Sequence, residues 1–108
     1  MNRTTHNDPQ LQQLVQDLLA CKPERIILFG SIARGDADQY SDYDVIVIQQ
    51  TERPFVQRLL QVGALLTITS RVDLLVYTPA EFQRMIEEDN PLIRKALEEG
   101  VTLYERLG

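Results

Sequence analysis

Asp42 and Asp44 are the residues whose spacing first suggests chemistry. They stand two apart at the start of an apolar run, 42–48, that predicts a strand. Because side chains alternate along a strand, both carboxylates share one face, with Cα atoms roughly 6–7 Å apart, and Tyr43 points the other way. Two carboxylates on one face repel each other, and a divalent cation such as Mg²⁺ removes that repulsion. The alternative is a solvated strand end that is acidic.

Asp73 adds a third carboxylate inside the apolar run 72–76. A carboxylate in such a run needs a hydrogen bond, an ion pair or a metal ion. If 42–48 and 71–77 are neighbouring strands, Asp73 faces the other two aspartates. The three can then surround one or two metal ions of the kind that promote in-line phosphoryl displacement. The alternative is a structural ion pair of Asp73 with Arg25 or Arg71.

Gly30 and Ser31 lie where an apolar strand stops and a short helical turn begins. Glycine lets the backbone come close to a ligand, and the N–H groups at a helix start favour an anion. The Ser31 hydroxyl adds a donor for a phosphate oxygen. The alternative is an ordinary turn with Ser31 as its cap. Arg34, a little further on, either reaches a phosphate or pairs with Asp36 or Asp38.

Together these residues form a gapped pattern: Gly30-Ser31, ten residues, then Asp42-Tyr43-Asp44. The pattern resembles the G-S-x10-D-x-D signature of the minimal nucleotidyltransferases in the DNA polymerase β-like superfamily. That family has a third aspartate on a later strand in a V-D-L context, and Asp73 fits it. The flanking residues are also typical of the family: Phe29, Ala33-Arg34-Gly35 and Ser41. The order of helices and strands agrees too, so the resemblance covers most of the chain.

The resemblance implies an ATP-binding nucleotidyltransferase fold that works with two Mg²⁺ ions. In the family's pattern, Gly30 and Ser31 hold the β- and γ-phosphates of ATP. Asp42 and Asp44 ligate both metal ions. Asp73 ligates the catalytic ion and helps to activate the acceptor hydroxyl as a general base.

The resemblance also implies a partner. Stand-alone minimal domains of this family are often encoded beside a small helical ribonuclease toxin of the HEPN type (higher eukaryotes and prokaryotes nucleotide-binding). There the minimal domain acts as antitoxin by transferring AMP to a toxin tyrosine. Larger relatives carry extra domains for their acceptors, and this chain leaves no room for one. We therefore expect a protein adenylyltransferase that binds ATP and a HEPN-type toxin, as a homo- or hetero-oligomer.

The elements that must position these residues alternate between helix and strand. Apolar runs predict strands at 25–29, 42–48 and 71–77, with a short edge strand at 101–104. The strand 42–48 is apolar on both faces at its end and should be central. We expect an α/β (α+β) fold, a small mixed sheet of three to four strands flanked by helices.

Capping residues and apolar spacing predict the helices. A first helix is capped by Asn7 or Asp8 and ended by Lys22 and Pro23. The apolar residues Phe55, Leu59, Leu60 and Val62 indicate another helix, which Gly63 follows, and the connection from 48 to 71 is long enough for a helical crossover. Thr78-Pro79 and Asn90-Pro91 begin two more, the last ended by Gly100. The stretch 64–70 fits either a helix end or a strand.

Composition limits the classes of function. The chain has 108 residues, which predicts a single domain over 1–108. Its 16 acidic against 11 basic residues give a net charge of −5, so we expect no direct binding of nucleic acid. No apolar run suits a bilayer or a signal peptide, which predicts a cytoplasmic protein away from membranes.

Two rival functions are compatible with the same residues. The first alternative to a protein adenylyltransferase is a binding module that neutralises its partner by contact and has a weak active site. The second is a transferase for a small, aminoglycoside-like acceptor. A P-loop enzyme is excluded because no G-x-x-x-x-G-K-[ST] run exists, and the lack of G-x-G-x-x-G disfavours a dinucleotide-binding Rossmann site.

Overall fold

The computed structural model describes residues 8–35 and 42–107 of the chain. Five helices and four strands lie in these residues. In chain order they are α1 (Pro9–Leu19), β1 (Arg25–Phe29), α2 (Gly30–Arg34), β2 (Tyr43–Ile48), α3 (Phe55–Gly63), β3 (Val72–Tyr77), α4 (Pro79–Glu87), α5 (Pro91–Glu99) and β4 (Val101–Glu105).

The four strands form one mixed sheet in the order β3-β2-β1-β4. Strand β1 is antiparallel to both β2 and β4, whereas β2 and β3 are parallel. The parallel pair requires a crossover connection, and α3 lies within it. This arrangement confirms the predicted fold class, the central place of β2 and the short edge strand near the end of the chain.

Alternation along the strands divides the core between the two faces of the sheet. One face carries the odd-numbered apolar residues of β2 and packs with buried residues of α1 and α3, such as Leu14 and Val62. The opposite face carries Ile46 and Ile48, which pack with Phe82 of α4 and Ile93 of α5. The even-numbered positions of β2 therefore lie on the side of α4 and α5.

The predicted helix caps are confirmed. Asp8 accepts a hydrogen bond from the backbone N–H of Leu11 at 3.1 Å. Thr78 forms a reciprocal capping box with Glu81, and the Asn90 side chain accepts from two backbone N–H groups of α5. Each of these caps satisfies backbone donors that a helix start leaves without intrahelical partners.

Several predicted boundaries differ in the structure. Strands β2 and β3 begin one residue later than predicted, at Tyr43 and Val72, and β4 extends to Glu105. Helix α1 ends at Leu19, and Lys22 has a positive φ of 55°, because a following proline disfavours the right-handed helical conformation at that residue. The stretch 64–70 is neither helix nor strand.

A buried ion pair joins α3 to α4. The Arg58 guanidinium, only 7% exposed, donates two hydrogen bonds to the Glu81 carboxylate at 2.7 and 3.2 Å. It also donates to the backbone carbonyls of Arg53 and Val76. Because these acceptors lie before α3, in β3 and in α4, Arg58 fixes the crossover helix against the sheet.

Within residues 8–35 and 42–107, no helix is both long and apolar enough to cross a membrane.

Candidate active site

The register of the parallel strands places Asp44 directly beside Asp73. The sequence prediction required β2 and β3 to be neighbours, and they are. The negative charge of Asp73 acts on Asp44 and helps to raise its pKa. Asp42 immediately precedes β2, two residues from Asp44, and its charge acts on Asp44. We call Asp42, Asp44 and Asp73 the aspartate cluster. It lies on the sheet face of α4 and α5, at the end where β2 and β3 begin.

Gly30 approaches the cluster from β1. The antiparallel pairing sets Phe29 opposite Asp44, so the following residue comes against the Asp44 side chain. Gly30 has a φ of +79°, and a Cβ added there would collide with Asp44 Oδ2 and lie 3.2 Å from Asp44 Cγ. Both the backbone conformation and the space therefore require glycine. Ser31, half-buried, follows it in α2.

Like charges are crowded in the aspartate cluster. The pKa of Asp44 lies above its ordinary value of 3.8. Partial burial is the largest cause, followed by the negative charge of Asp73, the hydrogen bond with Asp73 and the charge of Asp42. The positive charge of Arg34 acts in the opposite direction. A raised carboxyl pKa means that ionising Asp44 costs free energy unless a cation is added.

Arg71 supplies positive charge at the cluster. Its Nε atom lies 3.6 Å from Asp42 Oδ2 and 3.7 Å from Asp73 Oδ1. The ion pair considered for Asp73 as an alternative is therefore present, with Arg71 as the partner. Arg25 instead contacts β4, where it donates to Thr102 Oγ1 at 3.0 Å and pairs with Glu105.

Arg34 is held by a residue far along the chain. Its guanidinium donates to the Glu99 carboxylate at 3.0 Å, which joins α2 to the end of α5. Asp36 and Asp38, the partners considered from the sequence, lie outside the described residues. No local pattern predicts a pair separated by 65 residues, so sequence reasoning missed Glu99.

Tyr43 packs rather than lining the cluster. Its ring is buried on the opposite face, and its hydroxyl donates to Asp8 Oδ2 at 2.7 Å. Burial, together with the hydrogen bond to Asp8 and that residue's negative charge, raises the pKa of Tyr43.

The chemistry of the donors fits Mg²⁺, which prefers carboxylate oxygens. Across the described parts of the chain, however, no three His, Cys, Asp or Glu side chains stand close enough together to hold a metal ion. Arg71 shares Asp42 and Asp73 instead, and its side chain is 75% exposed. In the arrangement that the structure shows, the aspartates therefore face an arginine rather than one another's metal-binding positions.

Comparison with known proteins agrees with this geometry. The family model described as polymerase beta, nucleotidyltransferase matches residues 10–107. The chain belongs to this nucleotidyltransferase family, and its place in the polymerase β-like superfamily is thereby confirmed.

Two relatives show the reach of the similarity. A protein of Methanocaldococcus jannaschii, named a putative protein adenylyltransferase, is 32% identical over 76 residues, which are 68% of this chain and 73% of that protein. The crystal structure of a putative nucleotidyltransferase from Sulfolobus solfataricus superposes with a TM-score of 0.61 at 21% identity. That match covers 98% of this chain and 91% of the other, and it confirms the fold.

Proposed function

We propose that the chain is a Mg²⁺-dependent protein adenylyltransferase. It transfers AMP from ATP to a hydroxyl group, that of a tyrosine, on a partner protein. The observation that carries this proposal is the pairing of Asp44 with Asp73 in register, against Gly30, the residue that follows β1. Membership of the nucleotidyltransferase family and the name of the archaeal relative support the reaction class and the protein acceptor.

In this proposal Gly30, Ser31 and Arg34 bind the phosphates of ATP. The close approach of Gly30 to Asp44 leaves no side chain between the start of α2 and the carboxylates. The phosphates and the carboxylates therefore meet on one side of the sheet. Glu99 holds the guanidinium of Arg34, the last residue of α2.

Asp42, Asp44 and Asp73 provide the oxygen ligands for Mg²⁺. When bound, Mg²⁺ supplies positive charge that offsets the charges of the phosphates and of the departing pyrophosphate. Asp44 is the more enclosed of the register pair, whereas Asp73 is about half exposed. Asp73 is thus the carboxylate that an incoming acceptor hydroxyl can reach.

The reaction makes one bond and breaks one. The acceptor oxygen bonds to the α-phosphorus of ATP, and the bond between that phosphorus and the oxygen bridging to the β-phosphate breaks. Pyrophosphate leaves with the bonding electrons. The acceptor proton passes to the Asp73 carboxylate and then to solvent.

The partner we propose is a HEPN-type toxin, which the chain would inactivate as its antitoxin by adenylylation. The exposed part of Asp73 faces solvent rather than another part of the described chain. A folded partner can therefore present a tyrosine hydroxyl there.

The test is transfer of label from ATP labelled at the α-phosphate. The chain is incubated with Mg²⁺, alone and then with the product of the neighbouring gene. We expect label on the neighbour, and a loss of at least about a hundredfold in D44N, because a carboxylate ligand is lost at the site of charge development. The matched control is D89N, since Asp89 pairs with Arg94 on the exposed side of α4 and α5, away from the cluster.

Each outcome decides between the functions considered. Label transfer that is lost in D44N and kept in D89N supports the proposal. Undiminished transfer by D44N refutes the assignment of the aspartates. A tight complex without label would establish a module that neutralises its partner by contact. Transfer to a small hydroxyl compound alone would refute the protein acceptor.

A further inference from the structure

Arg71 is anchored by its backbone and free to move in its side chain. It immediately precedes β3, and its carbonyl accepts a hydrogen bond from the Tyr43 N–H at 3.0 Å. This bond fixes the Arg71 backbone against the start of β2. The side chain is nevertheless 75% exposed. Its guanidinium can therefore leave the aspartates by rotation, without disturbing the sheet.

The guanidinium contacts the two outer members of the aspartate cluster. Nε lies 3.6 Å from Asp42 Oδ2 and 3.7 Å from Asp73 Oδ1, so one cation serves two carboxylates. Both distances are longer than those of a charge-assisted hydrogen bond. Exposed ion pairs of this kind contribute little to stability. Arg71 therefore provides charge that an incoming cation can displace.

The other arginine at the cluster is held differently. Arg34 acts on Asp44 through its charge, yet its guanidinium is bonded to Glu99 at 3.0 Å. Arg34 thus has a carboxylate of its own at the end of α5. Arg71 has instead the carboxylates that the proposed function assigns to Mg²⁺.

We propose that Arg71 is a built-in counter-ion that competes with a divalent cation for Asp42 and Asp73. Binding of the cation releases the guanidinium into solvent, and loss of the cation returns it. Arg71 thereby weakens the affinity of the cluster for cations while it offsets the repulsion among the three carboxylates. This inference depends on the proposed function only in placing the cation at the aspartate cluster.

The test is cation binding by R71Q, with Mn²⁺ as the probe and electron paramagnetic resonance as the readout of free Mn²⁺. We expect the dissociation constant to fall about fivefold relative to the unmodified chain, because a positive charge near the carboxylates has been removed. R71K keeps the charge and should stay within about twofold of the unmodified chain. R94Q is the matched control, since Arg94 pairs with Asp89 away from the cluster, and its affinity should be unchanged.

A second measurement uses no cation. In EDTA and low salt, we expect R71Q to lower the melting temperature by about 1–4 °C, because the carboxylates lose their counter-ion. The loss should be smaller in a D73N background and should vanish in high salt. Equal losses in both backgrounds would show that Arg71 is not the counter-ion of Asp73.

The outcomes separate this inference from the proposed function. An unchanged or weaker Mn²⁺ affinity in R71Q, with binding still abolished by D44N, refutes the competition alone. Mn²⁺ binding by D44N as tight as that of the unmodified chain places the cation elsewhere and refutes the metal site as well. No detectable binding by either the unmodified chain or R71Q also refutes the competition, and label transfer then decides the proposed function.

Discussion

Replacing Gly30 with alanine measures how closely the backbone approaches the aspartate cluster. Two effects add in this variant. A residue with a Cβ at φ +79° costs about 1–2 kcal/mol. The new methyl also collides with the Asp44 carboxylate, and forcing extra volume into a packed place costs about 1–3 kcal/mol. We expect G30A to lose about 3 kcal/mol in the free energy of unfolding.

Gly35 provides the matched control for this experiment. Its φ is +85°, close to that of Gly30, but a Cβ there would meet nothing within 4 Å. We therefore expect G35A to lose only the conformational part, about 1–2 kcal/mol. With an unfolding entropy of about 2.1 cal/mol/K per residue, the melting temperature should fall by roughly 13 °C in G30A and roughly 4–9 °C in G35A.

The assay is urea unfolding of both variants, repeated in a D44A background. Removing the Asp44 carboxylate opens the space, so the cost of G30A should fall to about that of G35A, whereas the cost of G35A should stay the same. Equal costs for G30A and G35A in the unmodified chain would refute the close approach. So would a cost of G30A that D44A leaves unchanged.

Three further predictions concern stability. D44N should be more stable than the unmodified chain at neutral pH. Because the folded-state pKa of Asp44 is raised, ionisation of Asp44 lowers the stability of the unmodified chain as pH rises above about 4. The urea midpoints of D44N and the unmodified chain should therefore coincide at pH 3 and diverge by pH 7. A difference between the two midpoints that stays the same at every pH would contradict this cause. R58A should lose about 2–4 kcal/mol, measured by urea unfolding, because it leaves three acceptors without their donor. The bond from Arg58 lowers the pKa of Glu81, so this loss should shrink as pH falls below about 4.5; a constant loss would argue against the pair. Y43F should lose about 1 kcal/mol by the same method, since its hydroxyl donates to Asp8, and no loss would argue against that bond.

The sequence predicted most of the fold because local signals carried it. Short apolar runs marked the strands, and side-chain caps followed by proline marked the starts of α1, α4 and α5. The connection between β2 and β3 was recognised as long enough for a helical crossover, and α3 lies in it. Helix α1 ends at Leu19, three residues before the Lys22-Pro23 pair that was expected to end it.

The candidate site was predictable in its residue types and less so in its contacts. Alternation put Asp42 and Asp44 on one face, and strand adjacency brought Asp73 to them. Which arginine would approach Asp73 stayed open between two, since side-chain direction depends on tertiary packing. The ion pair between Glu99 and Arg34 depends on how α5 packs against the rest of the fold, and no local sequence pattern predicts that packing.

The buried ion pair of Arg58 could have been predicted from the sequence. It lies three residues after Phe55 and four before Val62, on the stripe of α3 that faces the sheet. A charged residue in such a stripe requires a partner when buried. The partner, Glu81, also completes the capping box of α4. Its carboxylate therefore accepts from both Arg58 of α3 and the Thr78 backbone N–H at the start of α4.

The central claim is that the aspartate cluster transfers the AMP part of ATP. The most direct measurement compares ATP labelled at the α-phosphate with ATP labelled at the γ-phosphate, each incubated with the chain, Mg²⁺ and the neighbouring protein. The account predicts that the α-label becomes covalently attached to a tyrosine of the neighbour, that the γ-label leaves as pyrophosphate, and that D44N and D73N abolish attachment. Attachment of the γ-label would mean phosphoryl transfer from the other end of ATP, and it would contradict the account.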